Sequence, residues 1–307
     1  MPVGAEFAAG YDDELLARLL EIRHVELAIL DAFADGLVGG TAHTCLGQEH
    51  VPVALAPYLD GDTVFSNHRG HGHYLAMHRD VDGLLAEIFG RAGAVCSGVG
   101  GSQHILRPGR YMSTGVQGES VPVAVGVALH ERNTRSGRLA VAFVGDGTWG
   151  QGVVYEALNM AALWSVPLVL VVENNGIAQS TPTSAHLAGT IAGRAAAFGI
   201  EHLLVDTDDV LRVREQVQEP LDRARHTPAP LVLEFVTRRL GPHSKGDDSR
   251  QADELAGLRA DDWAARYAEL HRAQFDRVDS VTRARVAQVV EDVRARPVSS
   301  WQRGSGG

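Results

Sequence analysis

Short apolar runs alternate with longer amphipathic stretches through the middle of the chain. The runs are short and bounded by turn residues, as expected of buried parallel strands, and the stretches between them have the spacing of helices. The predicted strands are 139–144, 167–172, 202–205 and 230–236, and the predicted helices between them are 153–164 and 210–225. Alternation of strand and helix predicts an α/β fold with a doubly wound, mostly parallel sheet flanked by helices.

Helical segments are predicted at both ends of the chain. Asp12 can cap a helix that runs to about Phe33, and Ser280 is predicted to cap the last helix, which Pro297 ends. We expect one domain over residues 1–307. Its predicted parts are an N-terminal helix in 1–38, an α/β core in 39–250, C-terminal helices in 251–297 and a tail in 298–307.

Composition narrows the class of protein. The 307 residues are 45% hydrophobic and 21% charged, which is enough for a sizeable core. A net charge of −10 disfavours a nucleic-acid surface. The longest apolar run, 166–172, is too short for a membrane span, and the N-terminus lacks the pattern of a secretory signal. With only Cys45 and Cys96 there is no disulfide framework, so we expect a cytoplasmic protein.

The turn after the first of these strands is the main candidate for chemistry. Three interpretations are open for it. Asp-Gly and Asn-Gly pairs are ordinary turn dipeptides. Gly145-x-Gly147-x-x-Gly150, with Glu173 near the end of the next strand, fits a dinucleotide fingerprint. The third interpretation is a diphosphate held through a metal ion.

Asp146 favours the third interpretation over the second. A dinucleotide loop presents bare backbone N–H groups to the pyrophosphate, and a carboxylate there repels it. A divalent cation reverses that argument, because the oxygens of Asp146 and Asn175 are hard ligands suited to Mg²⁺, which retains phosphate oxygens among its ligands.

At this point the chain resembles a known family. Gly145-Asp-Gly147, followed about thirty residues later by Asn174-Asn175, is similar to the thiamine diphosphate signature, a spacing of one helix and one strand. The segments 156–164 and 173–175 look like the alpha subunit of the thiamine-dependent component of 2-oxo acid (pyruvate or branched-chain) and acetoin dehydrogenase complexes. The resemblance runs from about Leu15 to Arg250, and it implies the thiamine diphosphate-binding fold with thiamine diphosphate and Mg²⁺ as cofactors.

The resemblance also implies roles for individual residues. The implied metal ligands are Asp146, Asn175 and the Ile177 carbonyl. The implied catalytic residues are His43, at the substrate channel, and His243, which is placed for proton transfer because an imidazole titrates near neutral pH. The implied cofactor-binding residues are His68, Arg69, Gly115, Gln117, Gly145, Asp146, Gly147, Thr148, Asn175, Ile177, Arg194 and His243.

Several of these residues have plainer alternatives. Four histidines, at 68, 71, 73 and 78, invite a zinc interpretation, but their spacing is poor for it. His43 could be a solvated loop residue and Arg194 an exposed arginine. Lys245 is the chain's only lysine and follows His243 in a predicted loop, which makes its placement there of interest.

The implied activity is decarboxylation of a 2-oxo acid, or cleavage of acetoin, with transfer of the acyl unit to a lipoyl-bearing carrier or acyltransferase. The carboxylate that activates the aminopyrimidine is not found in this chain, so we expect a beta subunit to complete the site, in an α2β2 assembly. Gly150, Ile177 and Gln179 depart from the family's usual residues and put the substrate in doubt. The alternatives are transketolase-like transfer of a two-carbon unit from a ketose phosphate, a nicotinamide dehydrogenase, and a silent subunit that serves assembly.

Overall fold

The structure is a computed structural model that describes residue 7 and residues 10–244 and 248–300. Its strands are β1 Thr63–Ser66, β2 Leu106–Arg107, β3 Tyr111–Ser113, β4 Ala140–Gly145, β5 Leu168–Asn174, β6 Ile177–Ala178, β7 Thr181–Pro182, β8 Glu201–Val205 and β9 Leu231–Val236. Its helices are α1 Asp13–Ala34, α2 His50–Leu55, α3 His71–His78, α4 Val81–Ile88, α5 Ser120–Thr134, α6 Gly152–Leu163, α7 Thr183–His186, α8 Ile191–Ala197, α9 Val210–His226, α10 Ala252–Ala260, α11 Trp263–Leu270 and α12 Arg272–Arg294.

Seven strands form one sheet in the order β2-β3-β1-β4-β5-β9-β8, and β6 pairs with β7 in a separate hairpin. Every neighbouring pair in the large sheet is parallel except β2 and β3. The predicted fold class is therefore confirmed, and so are the four predicted strands. The edge formed by β1, β2 and β3 was not predicted, because these strands are short and lack a long apolar run.

Helices cover both faces of this sheet, and side chains from alternate strand positions enter a different core on each side. Phe143 of β4 and Val171 of β5 face the core that contains α1, α4, α9 and α12. Ala142 and Leu170, one position earlier, face the core that contains α5, α6 and α8. Burial on both faces explains why β4 and β5 are continuous apolar runs rather than alternating ones.

The first helix, α1, and the last helix, α12, pack together on one face of the sheet. Asp12 caps α1 as predicted, since its side chain accepts a hydrogen bond from the Leu15 N–H. The predicted cap at Ser280 is wrong, because Ser280 lies inside α12. That helix begins earlier, after the N-cap residue His271. The buried positions of α12 continue past residue 280, at Val278, Thr282, Val286 and Val293. One apolar stripe packed along α1 thus outweighs the capping preference of a single serine.

The order of the strands places a crevice at one edge of the sheet. From β1 the chain proceeds towards β3, whereas from β4 it proceeds towards β5 on the other side. Loops that diverge in this way leave an opening beyond the carboxyl ends of the strands, where open α/β sheets bind ligands. Among the described residues, none of the helices has both the length and the apolar composition needed to cross a bilayer.

Candidate active site

A cavity of about 340 Å³ lies at this crevice, at the carboxyl ends of β1, β4, β5 and β9. Its size is within the range usual for small-molecule sites. Of the site residues predicted from the sequence, all but Arg194 line it: His43, His68, Arg69, Gly115, Gln117, Gly145, Asp146, Gly147, Thr148, Asn175, Ile177 and His243. The loops after four separate strands therefore converge as the resemblance implies.

Asp146 begins the 3₁₀ turn that follows β4. Its carboxylate is buried, and Oδ2 accepts a hydrogen bond from the Thr183 hydroxyl. Burial raises the pKa of Asp146 above its ordinary value, which the Thr183 hydrogen bond partly offsets. The neighbouring Gly147 has no room for a side chain, because a Cβ there would lie 2.7 Å from the Cβ of Ala178. The turn after β4 and the hairpin after β5 thus approach closely.

The second predicted ligand segment is the turn from Asn174 to Ile177. Asn174 donates through Nδ2 to Oε1 of Glu234 at 2.8 Å and accepts from the Gly176 N–H at 3.1 Å. Asn175 Oδ1 accepts from the Ile177 N–H at 3.3 Å. Gly176 has a φ of +77°, a conformation that glycine adopts without strain. The turn is therefore fixed from both sides, with Asn175 and Ile177 at the cavity.

Arg69 is buried at the end of the loop after β1. One guanidinium nitrogen, Nη1, donates to the Thr44 carbonyl, and Nη2 lies 3.5 Å from Nδ1 of His243. Burial and the nearby Arg239 lower the pKa of Arg69 to about 10, so the guanidinium is charged at neutral pH. A buried, cationic fork at the cavity suits an anionic ligand.

Three histidines from distant parts of the sequence meet at the cavity. The His43 ring lies edge-on to those of His68 and His243, with centroids 4.7 Å away in each case. Their ligating atoms lie within 4.8 Å of one another. Burial, followed by the charge of Arg69, lowers the pKa of His68 well below its ordinary value, so this ring is neutral.

The four-histidine zinc alternative is not supported by the part of the chain that is described. His71 and His73 point into separate buried contacts, with Glu26 and Glu173 respectively. Among residues 10–244 and 248–300, His43, His68 and His243 are the only group of three or more His, Cys, Asp or Glu side chains close enough to share a metal ion. Lys245 lies outside the described residues.

Gln117 contacts the site through its side chain. Its Nε2 lies 2.7 Å from Nδ1 of His68, and its Oε1 accepts from the Thr148 hydroxyl at 3.0 Å. This polar residue thus joins the loop after β1 to the turn after β4. Gln117 therefore has a hydrogen-bonding role at the site.

Arg194 is the one predicted residue that does not reach the cavity. Its guanidinium donates to the carbonyls of Ala188 and Trp149 and to the Tyr155 hydroxyl. These contacts secure the end of the Asp146–Gly150 turn to α8. The phosphate-binding role stays a prediction, and the geometry favours a structural one.

Some lining residues were missed by the sequence analysis. Glu173, Gln103 and Arg239 line the cavity. Glu173 is buried and lies 3.2 Å from Nε2 of His73, whose Nδ1 is 2.7 Å from the Ser66 hydroxyl. The sequence signal for Glu173 was its place one residue before Asn174, which fits the acidic residue of a dinucleotide fingerprint and did not indicate a role at this cavity.

Comparison with known proteins decides the family. Residues 17–296 match the family described as the dehydrogenase E1 component. The chain belongs to this family. It is 41% identical over 234 residues to the alpha subunit of acetoin:2,6-dichlorophenolindophenol oxidoreductase of Bacillus subtilis (strain 168), a match that covers 75% of this chain and 70% of the relative.

Two further relatives extend the match within the E1 family. The pyruvate dehydrogenase E1 component subunit alpha of Rhizobium meliloti (strain 1021) is 36% identical over 263 residues, which cover 84% of this chain and 76% of that one. The acetoin oxidoreductase subunit alpha of Cupriavidus necator (strain H16) is 34% identical over 294 residues, covering 91% and 88%. The resemblance predicted from the glycine and asparagine motifs is confirmed, and with it the use of thiamine diphosphate rather than a dinucleotide.

Proposed function

We propose that this E1 component, with a beta-type subunit, holds thiamine diphosphate through Mg²⁺ and either decarboxylates a 2-oxo acid or cleaves acetoin. The acyl unit then passes to a lipoyl group on a carrier protein or acyltransferase. The single observation that carries the proposal is the meeting of Asp146, Asn175 and Arg69 at one cavity, from loops after three different strands. A silent assembly subunit has no need of this set.

The residues present fit a magnesium diphosphate. Asp146 offers a buried carboxylate, Asn175 an amide oxygen and Ile177 a backbone carbonyl, which are the hard oxygen ligands that Mg²⁺ prefers. Arg69 and His68 line the same cavity and offer N–H donors for phosphate oxygens. Positive groups and metal ligands together balance an anion that Asp146 alone repels.

When bound, the cofactor supplies an electron sink, which accepts the electron pair of the bond that breaks next to the carbonyl. This chain's own residues orient the substrate and move protons. His243 and His43 lie with His68 on one side of the cavity, and His243 receives a hydrogen bond from the Arg69 guanidinium. We assign to His243 the proton transfer at the substrate, with His43 beside it.

The carboxylates at the cavity favour a beta-type partner. Among the described residues, the carboxylates at the cavity are Asp146 and Glu173; the first is assigned to the metal and the second lies against His73. Neither is left to activate an aminopyrimidine ring.

Acetoin and pyruvate are both candidate substrates, because relatives named for each match the chain. The acetoin oxidoreductase subunits are 41% and 34% identical, and the pyruvate dehydrogenase subunit is 36% identical. Transketolase-like transfer from a ketose phosphate would use the same cofactor. Supplying acetoin, pyruvate, branched-chain 2-oxo acids and a ketose phosphate in turn, and weighing the loaded lipoyl carrier by mass spectrometry, separates these substrates.

The experiment for the proposed function compares the pure chain with the chain co-expressed with its genomic neighbour. Dichlorophenolindophenol, an artificial electron acceptor, replaces the lipoyl carrier. We expect turnover from the co-expressed pair only, and only with thiamine diphosphate and Mg²⁺. Turnover by the pure chain contradicts the shared site, and failure of the pair with all four donors contradicts the activity.

A further inference from the structure

A single buried carboxylate organises the glycine-rich segment 96–104. Glu87, on α4, is 1% exposed. Its Oε2 accepts from the Cys96 N–H at 2.6 Å and the Gly98 N–H at 2.9 Å. Its Oε1 accepts from the N–H groups of Gly100 and Gly101, at 2.7 and 3.1 Å. The glycines would leave this segment flexible, but four backbone N–H groups donate to the one carboxylate of Glu87 and fix its conformation.

A second buried carboxylate fixes the end of this segment nearest the cavity. Ser102 Oγ lies 2.8 Å from Nε2 of His71, and Nδ1 of the same ring lies 2.9 Å from Oε2 of Glu26. The other oxygen of Glu26 accepts from the Cys45 N–H at 2.9 Å. Glu26 therefore holds both Ser102 and the loop that carries His43. The two loops are fixed relative to each other by one side chain of α1.

The residue after Ser102 reaches into the cavity. Gln103 Nε2 lies 2.8 Å from the Thr41 hydroxyl and 3.1 Å from Nδ1 of His43. Its Oε1 is packed against Gly115, where an added Cβ would lie 2.1 Å away, so a side chain at position 115 would displace the Gln103 amide. An amide N–H that donates to Nδ1 requires that nitrogen to be unprotonated, which places the ring hydrogen of neutral His43 on Nε2.

We propose that Gln103 is a positioning residue that sets the tautomer and ring orientation of His43, and that Glu87 holds segment 96–104 in place for this purpose. The catalytic consequence rests on the proposed function, whereas the contact itself does not. Within the part of the chain that is described, the charged and titratable groups that share the cavity with His43 are His68, His243, Arg69, Arg239, Glu173 and Asp146. His68 and His243 are in direct ring contact with it.

The test replaces the donor by an acceptor of the same shape. In Gln103→Glu a carboxylate faces Nδ1 of His43, stabilises an N–H there and favours the imidazolium. The matched control is Gln179→Glu, which adds the same charge to the same cavity at another lining residue. The pKa of each histidine is measured by mass spectrometry of C2-hydrogen exchange, on the full chain co-expressed with its partner.

We expect the pKa of His43 to rise by about one unit or more in Gln103→Glu and by much less in Gln179→Glu. The rising limb of the kcat/KM profile then moves in Gln103→Glu while affinity for thiamine diphosphate is retained. Equal His43 pKa values in the two variants overturn the proposal. These pKa measurements need neither cofactor nor turnover, so they succeed or fail independently of the proposed function.

Glu87 is tested by the isosteric change Glu87→Gln. An amide keeps one acceptor oxygen but turns an NH₂ group towards two of the four backbone donors. We expect faster backbone amide exchange over 96–104 and the loss of a defined His43 pKa shift in the double variant with Gln103→Glu. Unchanged exchange over this segment, with the helices equally protected, overturns the role of Glu87.

Discussion

Thr183 donates a hydrogen bond from its hydroxyl to Oδ2 of Asp146, and its backbone N–H donates to the Gly176 carbonyl at 2.9 Å. One residue at the start of α7 therefore contacts both segments that carry the predicted metal ligands. The first segment follows β4 and the second follows β5. Their relative placement depends on a residue that no motif singled out.

We expect Thr183→Val to lower the affinity for thiamine diphosphate, measured in the presence of Mg²⁺, by about tenfold. The reason is that a hydrogen bond to a charged group contributes about 1.5 kcal/mol or more. Thr183→Ser keeps the hydroxyl and is the matched control. Isothermal titration of both variants with the cofactor gives the comparison. Equal affinities for valine and serine would mean that Thr183 does not orient Asp146 in the bound state.

Arg69→Lys tests the geometry of the guanidinium, because lysine keeps the positive charge but lacks the planar, forked set of N–H donors. Lysine cannot contact the Thr44 carbonyl, His243 and a phosphate from one planar group. We expect kcat/KM to fall by about tenfold to a hundredfold, with a smaller change in melting temperature. An unchanged kcat/KM in steady-state assays of the co-expressed enzyme would show that charge alone is sufficient at this position.

Arg194→Met tests the two roles considered for this arginine. Its contacts with Trp149, Tyr155 and Ala188 lie within the protein, so we expect a lower melting temperature and nearly unchanged cofactor affinity once the protein is folded. Thermal denaturation and calorimetric titration on the same preparation separate these effects. A large loss of affinity at constant melting temperature would restore the phosphate-binding role.

His50 gives a prediction about pH. Its ring is buried in α2, and neither nitrogen makes a hydrogen bond within the described residues. Burial lowers its pKa, so below about pH 6.5 the unfolded chain binds a proton that the folded chain does not, and stability falls as pH falls. We expect His50→Leu to be more stable than the parent at pH 5.5 by about 1 kcal/mol, with a smaller difference at pH 8.

The control for His50 is His130→Leu, on the exposed side of α5. Chemical denaturation at the two pH values measures both variants. Because His130 is exposed, we expect its replacement to leave the pH dependence of the free energy of unfolding unchanged. The same pH dependence in His50→Leu as in the parent would contradict a neutral, buried ring.

The central strands and the ligand loops were predictable because their signals are local. β4 and β5 are apolar runs, and Asp146 and Asn175 directly follow them, so strand periodicity and two turns suffice to bring them together. The cap predicted at Ser280 failed for the opposite reason. A stripe of buried residues on α12 extends over many turns, and its packing on α1 is not visible in any short window of sequence.

The contacts that orient the site could not be predicted from the sequence. Gln103 and His43, or Glu173 and His73, are brought together by the order of strands in the sheet rather than by spacing along the chain. Arg194 shows the converse, since a motif placed it at the site and packing directed its guanidinium into a turn. The residue types indicate the chemistry of the site, whereas the tertiary fold determines which side chains reach it.

The most direct test of the account is calorimetric titration of the co-expressed enzyme with thiamine diphosphate, with and without Mg²⁺, for the parent and for Asp146→Asn. The asparagine variant keeps the shape of the side chain and removes the charge that the metal requires. We expect tight binding by the parent only with Mg²⁺, and none by the variant under either condition. Equal, metal-independent affinity in the parent and the variant would contradict the claim that Asp146 holds the cofactor through a cation.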